Sequence, residues 1–202
     1  KLLVWISLCL IFALQIYPAI LFSQQPTQEW VRRYNSSFNL NDAPNKMIID
    51  KLGNICIVGT SVSANEGNNI VTLKYSPSGS LLWYVQYNQV SSINDIGACI
   101  AADSTGNIYV CGTSGFNFGP YDIVTIKYNS DGIQQWAKIY ASPGNIDEGV
   151  TDLATDKSDN IYVCGGSGEP NNTGAAFVLK YNTQGDTVWV RRNSPTGYRA
   201  GF

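Results

Sequence analysis

The side chains of this sequence that could do chemistry are cysteines and carboxylates, because the chain contains no histidine. Histidine is the commonest general base and the commonest metal ligand, so its absence argues against triad hydrolases and most zinc chemistry. The net charge of −2 at pH 7 provides no basic patch, which a nucleic-acid partner would require. The cysteines and carboxylates are therefore the candidates for chemistry, and no nucleic-acid binding is expected.

Four cysteines follow the hydrophobic N-terminal segment: Cys56, Cys99, Cys111 and Cys164. In a secreted protein, an even number of cysteines suggests disulfides. A three-residue loop at 104–106 would place Cys99 directly opposite Cys111 on a neighbouring strand. Opposed residues have Cβ atoms roughly 4.5–5.5 Å apart, slightly beyond the roughly 3.5–4.5 Å of a disulfide. The sequence thus allows a cross-strand disulfide between Cys99 and Cys111, or two buried thiols that fill small core positions.

Carboxylates recur at two kinds of position. One precedes a short apolar run and is occupied by Asp42, Asp95 and Glu148. A ring of such acids could bind a cation or act in acid–base chemistry, whereas a position that repeats is also typical of a structural cap at the entry of a strand. The other kind opens turns such as 103–107, which hold one or two oxygen ligands where calcium requires about 6. We therefore predict plain turns and no metal site.

A 53-residue repeat must position these side chains. Four tryptophans lie at this spacing, Trp30, Trp83, Trp136 and Trp189, and the Lys-Tyr pairs, turn glycines and turn aspartates keep the same step. Each copy contains four runs of about six residues with alternating or continuous apolar character, which is typical of strands. No stretch after residue 25 has a sustained helical period. The repeat predicts an all-β fold in which each copy is a four-stranded antiparallel sheet, a blade of a β-propeller.

The repeat also predicts how residues 24–202 are organised. Three full blades are expected at about 42–88, 95–141 and 148–193. Residues 26–34 are interpreted as a lone outer strand that closes a last blade, and residues 197–202 as the start of a fourth blade. Three blades cannot close a ring, since propellers have about 4–8. We therefore interpret the chain as an incomplete ring, the N-terminal part of a longer protein; assembly of several copies into one ring is the alternative.

Residues 1–23 have the features of a signal peptide. Lys1 supplies a positive charge, residues 2–14 form an apolar core, and Ser23 is small enough to precede a cleavage site. A membrane anchor is the competing interpretation, but Gln15 and the residues after it interrupt the apolar run before about 20 residues accumulate. We expect a secreted, extracytoplasmic or cell-surface protein that is not inserted in a membrane after signal cleavage.

Two motifs of the middle copy resemble a known family. Residues 103–114 read Asp-x-x-Gly-Asn-Ile-Tyr-Val-Cys-Gly-Thr-Ser, and residues 121–132 read Tyr-Asp-Ile-Val-Thr-Ile-Lys-Tyr-Asn-x-Asp-Gly, followed by Trp136 and Tyr140. This pattern resembles the SBBP repeat, the seven-bladed β-propeller repeat of bacterial secreted and surface proteins, over about 42–193. The resemblance implies an extracytoplasmic location, a ring of about seven blades and no defined chemistry.

The chain departs from the repeat pattern at two landmark positions. Cys56 stands where the other copies have Tyr109 and Tyr162, and Asp159 stands where the second copy has the turn residue Gly106. Neither departure is expected to disturb the fold, because aspartate tolerates the left-handed conformation that such a turn requires.

A binding site should break the repeat, whereas packing residues should obey it. The segments that break it follow the second strand of each predicted blade, at 63–69, 115–121 and 166–174. By strand alternation they share one rim, and loops on a rigid scaffold are where recognition concentrates. Within them, the best-placed aromatic residues for ligand contact are Phe116, Phe118 and Tyr121. The alternative is that these rings fold onto the edge of the blade.

These observations favour a non-enzymatic scaffold for binding or adhesion that uses no cofactor. Its partner would be an unknown protein or carbohydrate on the loop-rich rim. The alternative is the N-terminal part of a propeller enzyme, such as a lyase, a hydrolase or a quinone-dependent oxidoreductase, with its active site in further blades.

Overall fold

The fold is given by a computed structural model, which describes residues 27–64, 67–89, 94–116, 119–144, 146–168 and 174–193. The chain divides into two units, Lys1–Val31 and Arg32–Phe202. Residues 27–31 of the first unit have no regular secondary structure. Within the described ranges, no helix has the length and hydropathy needed to cross a membrane. The predicted signal peptide at 1–23 and the predicted blade start at 197–202 lie outside the described residues.

Three groups of four strands follow one another in the Arg32–Phe202 unit, and we call them the first, second and third repeats. The first contains β1 (Asp42–Ile49), β2 (Ile55–Ser63), β3 (Gly67–Tyr75) and β4 (Leu81–Tyr87); the second contains β5 (Asn94–Ala102), β6 (Ile108–Gly115), β7 (Tyr121–Tyr128) and β8 (Gln134–Tyr140); the third contains β9 (Glu148–Thr155), β10 (Ile161–Gly168), β11 (Gly174–Tyr181) and β12 (Thr187–Asn193). In each repeat the four strands pair antiparallel in sequence order. The predicted all-β, antiparallel class is confirmed.

The second repeat is buried on both faces, because it packs between its two neighbours. On one face, Val110 and Ile126 join a core cluster with Val58 and Ile70 of the first repeat. On the other face, residues such as Tyr109, Cys111 and Ile123 join a cluster that the third repeat completes with Leu153, Val163 and Phe177. Burial on both faces accounts for the continuous apolar character of β6 and β7. A strand that is covered on both sides does not need polar residues at every second position.

A tryptophan and a turn join each repeat to the next. The indole N–H of Trp83 donates to the carbonyl of Ser130 at 2.9 Å, and that of Trp136 donates to Thr183 at 3.3 Å. Gly132 lies in the first of these turns with φ of +83°, and a Cβ there would lie 2.7 Å from the Trp83 ring. The turn therefore needs glycine both for its conformation and for the close approach of the indole.

The segment after Arg32 repeats the contacts of a link between two blades. The backbone N–H of Ser36 donates to Asp42 at 2.8 Å, as that of Gln89 donates to Asp95 at 2.7 Å. Tyr34 packs beside the buried cluster of β3, although residues 27–41 contain no strand. An outer strand forms only against an inner partner, so the prediction that residues 26–34 close a further blade stays a prediction.

Asp159 holds the left-handed turn position of the third repeat, with φ of +58°. Its carboxylate accepts hydrogen bonds from the backbone N–H of Ser104 at 3.0 Å and from the Ser104 hydroxyl at 2.9 Å. The cost of a non-glycine residue at this position is therefore offset by a contact to the turn of the second repeat.

Candidate binding site

The turn aspartates are structural, and Asp103 shows why. Its Oδ1 accepts from the backbone N–H groups of Thr105 and Asn107 at 2.9 and 3.0 Å, and its Oδ2 accepts from the Asn107 amide at 2.7 Å and the Tyr109 hydroxyl at 3.0 Å. Burial favours the protonated form, but these hydrogen bonds outweigh it and lower the pKa of Asp103. Both oxygens of Asp103 thus accept hydrogen bonds from the turn and from β6, which gives the carboxylate a structural role.

The first repeat satisfies the equivalent carboxylate with a different partner. Asp50 accepts the same turn donors, from Leu52 and Asn54, but its Oδ2 also lies 3.0 Å from the ammonium of Lys74. Lys74 is paired directly opposite Cys56 in the β2–β3 register. Because cysteine is much smaller than the tyrosine of the other repeats, the lysine chain has room to reach the carboxylate. The departure at Cys56 is thus compensated within the first repeat.

The carboxylates at the start of the inner strands also hold the fold. One oxygen of Asp42, Asp95 or Glu148 accepts the backbone N–H six residues earlier, from Ser36, Gln89 and Ser142 respectively. This is the capping role that the repeated position suggested. The other oxygen of each carboxylate is buried, without a hydrogen-bond partner among the described residues. Those residues also include no group of three or more side chains arranged to hold a metal ion.

Glu148 differs from the other two capping acids because a second carboxyl group, Asp122, lies beside it. The equivalent positions in the other repeats are occupied by Asn69 and Ala175, so Asp122 breaks the repeat. Burial raises the pKa of Glu148, and the charge of Asp122 adds to this effect. Burial likewise raises the pKa of Asp122, although the neighbouring Glu148 acts in the opposite direction. Sequence reasoning noted Glu148 but missed Asp122. Comparing Asp122 with the residues 53 positions before and after it would have shown that it breaks the repeat.

Phe116 is the predicted contact residue that the structure places at a cleft. Its side chain is 53% exposed. The cleft has a volume of about 120 Å³ and is lined by Gln89, Ser114, Gly115, Phe116, Pro120, Asp122 and Ile139. It therefore combines an exposed aromatic ring with amide, hydroxyl and carboxyl groups.

Tyr121, a second predicted contact residue, does not line this cleft. Tyr121 is half-buried at the start of β7, and its backbone N–H donates to the carboxylate of Asp147 at 2.9 Å. This contact ties the second repeat to the third. Phe118 lies outside the described residues.

A larger cleft of about 690 Å³ opens on the third repeat. Much of its lining consists of glycine and alanine, at Gly165, Gly166, Gly174, Ala175 and Ala176. Such a surface offers backbone and few specific side-chain groups, so we place the candidate binding site at the cleft of Phe116 instead.

Cys99 and Cys111 are direct partners in the β5–β6 register, as the loop length predicted. Both are buried, and both are free thiols. The Cys99 thiol donates to the carbonyl of Thr151 at 3.3 Å. Oxidation of this pair to a disulfide stays a prediction.

Sequence reasoning missed the charged residues that surround Cys99. Lys46, Cys99 and Asp152 are 53 residues apart and so occupy one position of the repeat, on β1, β5 and β9. Lys46 and Asp152 form an ion pair. The sequence could have revealed this site, because one position of the repeat holds a lysine, a cysteine and an aspartate in the three copies.

Comparison with known proteins finds a repeat family whose model matches one segment of the chain. The model of the SBBP family, a beta-propeller repeat, matches residues 83–119, from β4 through β6 and into the loop that contains Phe116. The resemblance noted in the sequence is therefore confirmed over this segment, and the β-propeller class with it. The number of blades in the ring stays a prediction.

One solved structure similar to this chain is described as a polysaccharide lyase of family PL25, an ulvan lyase. It shares 12% sequence identity and a TM-score of 0.44, over 72% of this chain and 43% of that chain. The chain thus spans less than half the length of that lyase, and a likeness at this level carries no functional argument. No curated relative matches the chain by sequence.

Proposed function

We propose that this protein is a non-enzymatic β-propeller scaffold, secreted or at the cell surface, which binds a carbohydrate or protein ligand on its loop-rich rim. The observation that carries the proposal is the exposed ring of Phe116 in a small polar cleft, at a place where the repeat is broken. Residues that obey the repeat are engaged in turns, caps and packing between repeats, whereas loops on a rigid scaffold are where recognition concentrates.

The chemistry of the cleft suits a sugar. Binding sites commonly combine an apolar or aromatic surface with a few placed polar groups that orient the ligand. Here Phe116 supplies the aromatic surface, and Gln89, Ser114 and Asp122 supply the polar groups. We therefore favour carbohydrate as the first ligand class to test.

A propeller enzyme remains the second candidate, and one observation favours it. Asp122 and Glu148 are neighbouring carboxyl groups whose pKa values are both raised. A lyase or hydrolase can use a protonated carboxyl of this kind as a general acid. Release of new reducing ends from a polysaccharide, lost in Glu148→Gln, would favour this candidate over a pure binding scaffold.

The binding proposal is tested with the full-length protein on a glycan array, followed by titration calorimetry of any glycan that binds. Phe116→Ala should weaken binding at least about tenfold, because exposed aromatic residues in a binding cleft commonly contribute more than about 1.4 kcal/mol. Leu52→Ala is the matched control, since Leu52 is highly exposed in a tight turn on the opposite rim. An array without binders, or a Phe116→Ala variant with undiminished affinity, would count against a carbohydrate site here.

A further inference from the structure

One position of the repeat brings together three chemically different side chains. Lys46, Cys99 and Asp152 lie on the first strand of successive repeats, β1, β5 and β9. Strand β5 packs against both β1 and β9. The ion pair between Lys46 and Asp152 therefore bridges the first and third repeats across the strand that carries Cys99. The bridge lies at the surface, since the two side chains are 38% and 55% exposed.

A second thiol stands directly opposite Cys99. Cys111 is its partner in the β5–β6 register, which places the two thiols side by side on neighbouring strands. The register shifts between Gly97 and Cys99, which marks a β-bulge next to this pair. Bulges re-aim side chains and are over-represented next to functional sites.

The two thiols have different environments. The neighbouring thiol of Cys111 lowers the pKa of Cys99, and burial opposes this change. The ammonium of Lys46 lowers the pKa further, whereas the charge of Asp152 raises it, and the net direction is down. Burial raises the pKa of Cys111 well above that of an ordinary thiol. Burial also raises the pKa of Cys56, to about 11, in the absence of such a partner thiol. The thiolate is the reactive form of cysteine, so Cys99 is the more reactive member of the pair.

We propose that Cys99 and Cys111 form a redox-active dithiol, in which Cys99 attacks a low-molecular-weight disulfide and Cys111 resolves the product. In the first step the Cys99 thiolate forms a bond to one sulfur of the small disulfide. The sulfur–sulfur bond of that molecule breaks, and its other half leaves as a thiolate that takes a proton from water. This step produces a mixed disulfide on Cys99.

In the second step Cys111 gives its proton to solvent and attacks the Cys99 sulfur. A Cys99–Cys111 disulfide forms, and the second half of the small molecule leaves as a thiol. Overall, two protein thiols are oxidised to one disulfide while one small disulfide is reduced to two thiols. Lys46 acts as a positioning residue, because its positive charge favours the thiolate of Cys99 over the thiol.

The site also has an internal control. Cys164 is the equivalent of Cys111 in the third repeat, but Asp152 stands where Cys99 would be. Cys164 is half-buried and thus more exposed than Cys99, which is 3% exposed. Reactivity governed by exposure alone would favour Cys164, whereas reactivity governed by the dithiol site favours Cys99.

The test is to incubate the reduced, full-length protein with oxidised glutathione and to map the modified cysteines by mass spectrometry. The wild type should form the 99–111 disulfide and return to thiols in reduced glutathione. Cys111→Ala should accumulate glutathione on Cys99, while Cys99→Ser should leave Cys111 unmodified. Near-UV circular dichroism checks that each variant is folded.

A second measurement, which keeps every cysteine in place, keeps the proposal testable if a cysteine variant does not fold. The rate of Cys99 alkylation is followed against pH, and Lys46→Met should shift the midpoint of this profile to higher pH. Faster glutathionylation of Cys164 than of Cys99 would overturn the proposal. So would a profile that Lys46→Met leaves unchanged, or a 99–111 disulfide that glutathione cannot reduce, since such a disulfide would be structural.

Discussion

The first and second repeats stabilise a buried turn carboxylate with different side chains. In both repeats, an aspartate in the first turn accepts hydrogen bonds from backbone N–H groups and from an asparagine side chain. One further donor contacts the Oδ2 atom of this aspartate. That donor is the Lys74 ammonium for Asp50 and the Tyr109 hydroxyl for Asp103, each at 3.0 Å. In the second repeat the equivalent lysine, Lys127, lies 5.3 Å from the centre of the Tyr109 ring and donates to the next repeat instead.

This difference separates two kinds of departure from the repeat. The exchange of tyrosine for Cys56 is compensated by Lys74, a residue that every repeat already has, so it preserves the fold and needs no functional explanation. The departures at Cys99, Asp122 and Phe116 have no such compensation within their own repeat. Uncompensated departures are therefore the positions at which we look for chemistry and binding.

The two repeats should differ most in how much stability is lost when Lys74 or Lys127 is replaced. Lys74→Met leaves Asp50 as a buried carboxylate without its cation, and the two side chains are only 4% and 2% exposed. We expect a loss of about 3 kcal/mol in the free energy of unfolding, as for other buried ion pairs that lose one partner. Lys127→Met, the matched control, should cost less than about 1 kcal/mol. Urea unfolding of both variants measures the difference, and equal costs would contradict the assignment of Lys74 as the replacement for tyrosine.

A smaller effect is expected from the hydroxyl in the second repeat. Tyr109→Phe keeps the ring and removes the hydrogen bond to Asp103, which should cost about 1 kcal/mol. Tyr162→Phe in the third repeat removes an equivalent hydrogen bond of 3.0 Å from a more exposed tyrosine, and should cost less. The same urea titrations test this order. A Tyr109→Phe variant of unchanged stability would show that the Asp103 carboxylate does not depend on the tyrosine hydroxyl.

The smallest expected effect is on the pH dependence of stability. The pKa values of Asp50 and Asp103 are both lowered in the folded protein: burial opposes the change, and hydrogen bonds outweigh it. Their stabilising contribution is therefore present above the unfolded value of about 3.9 and is lost as pH falls through the folded pKa. Lys74→Met should flatten this acid dependence more than Tyr109→Phe does, because it removes a charge rather than a neutral donor. Thermal unfolding between about pH 2 and 7 checks this; parallel curves for the two variants would contradict it.

The strands and their register could be predicted from the sequence, because turn chemistry and a fixed 53-residue step constrain both. The same reasoning placed Cys99 opposite Cys111, since a three-residue loop leaves no other register for the hairpin. It could also have placed Lys74 opposite Cys56, because Ile55 and Tyr75 pair at the start of that hairpin. What it could not supply was how far a flexible lysine chain extends, and hence that Lys74 reaches Asp50.

The candidate site was less predictable. The ion pair between Lys46 and Asp152 spans two repeats, so it depends on how the sheets pack and not on any single hairpin. Asp122 and Glu148 likewise meet across the boundary between the second and third repeats. Phe116 could be proposed because its loop breaks the repeat, but the cleft beside it is formed with Gln89 from the preceding link, which a one-repeat analysis does not include.

The claim that compensated departures are structural is tested most directly by recreating one in the second repeat. Tyr109→Cys should free space for Lys127 to reach Asp103, as Lys74 reaches Asp50. A double-mutant cycle between Tyr109→Cys and Lys127→Met measures this coupling in the free energy of unfolding. We predict that Lys127→Met costs about 2 kcal/mol more in the Tyr109→Cys background than in the wild type. An equal cost in both backgrounds would contradict the claim.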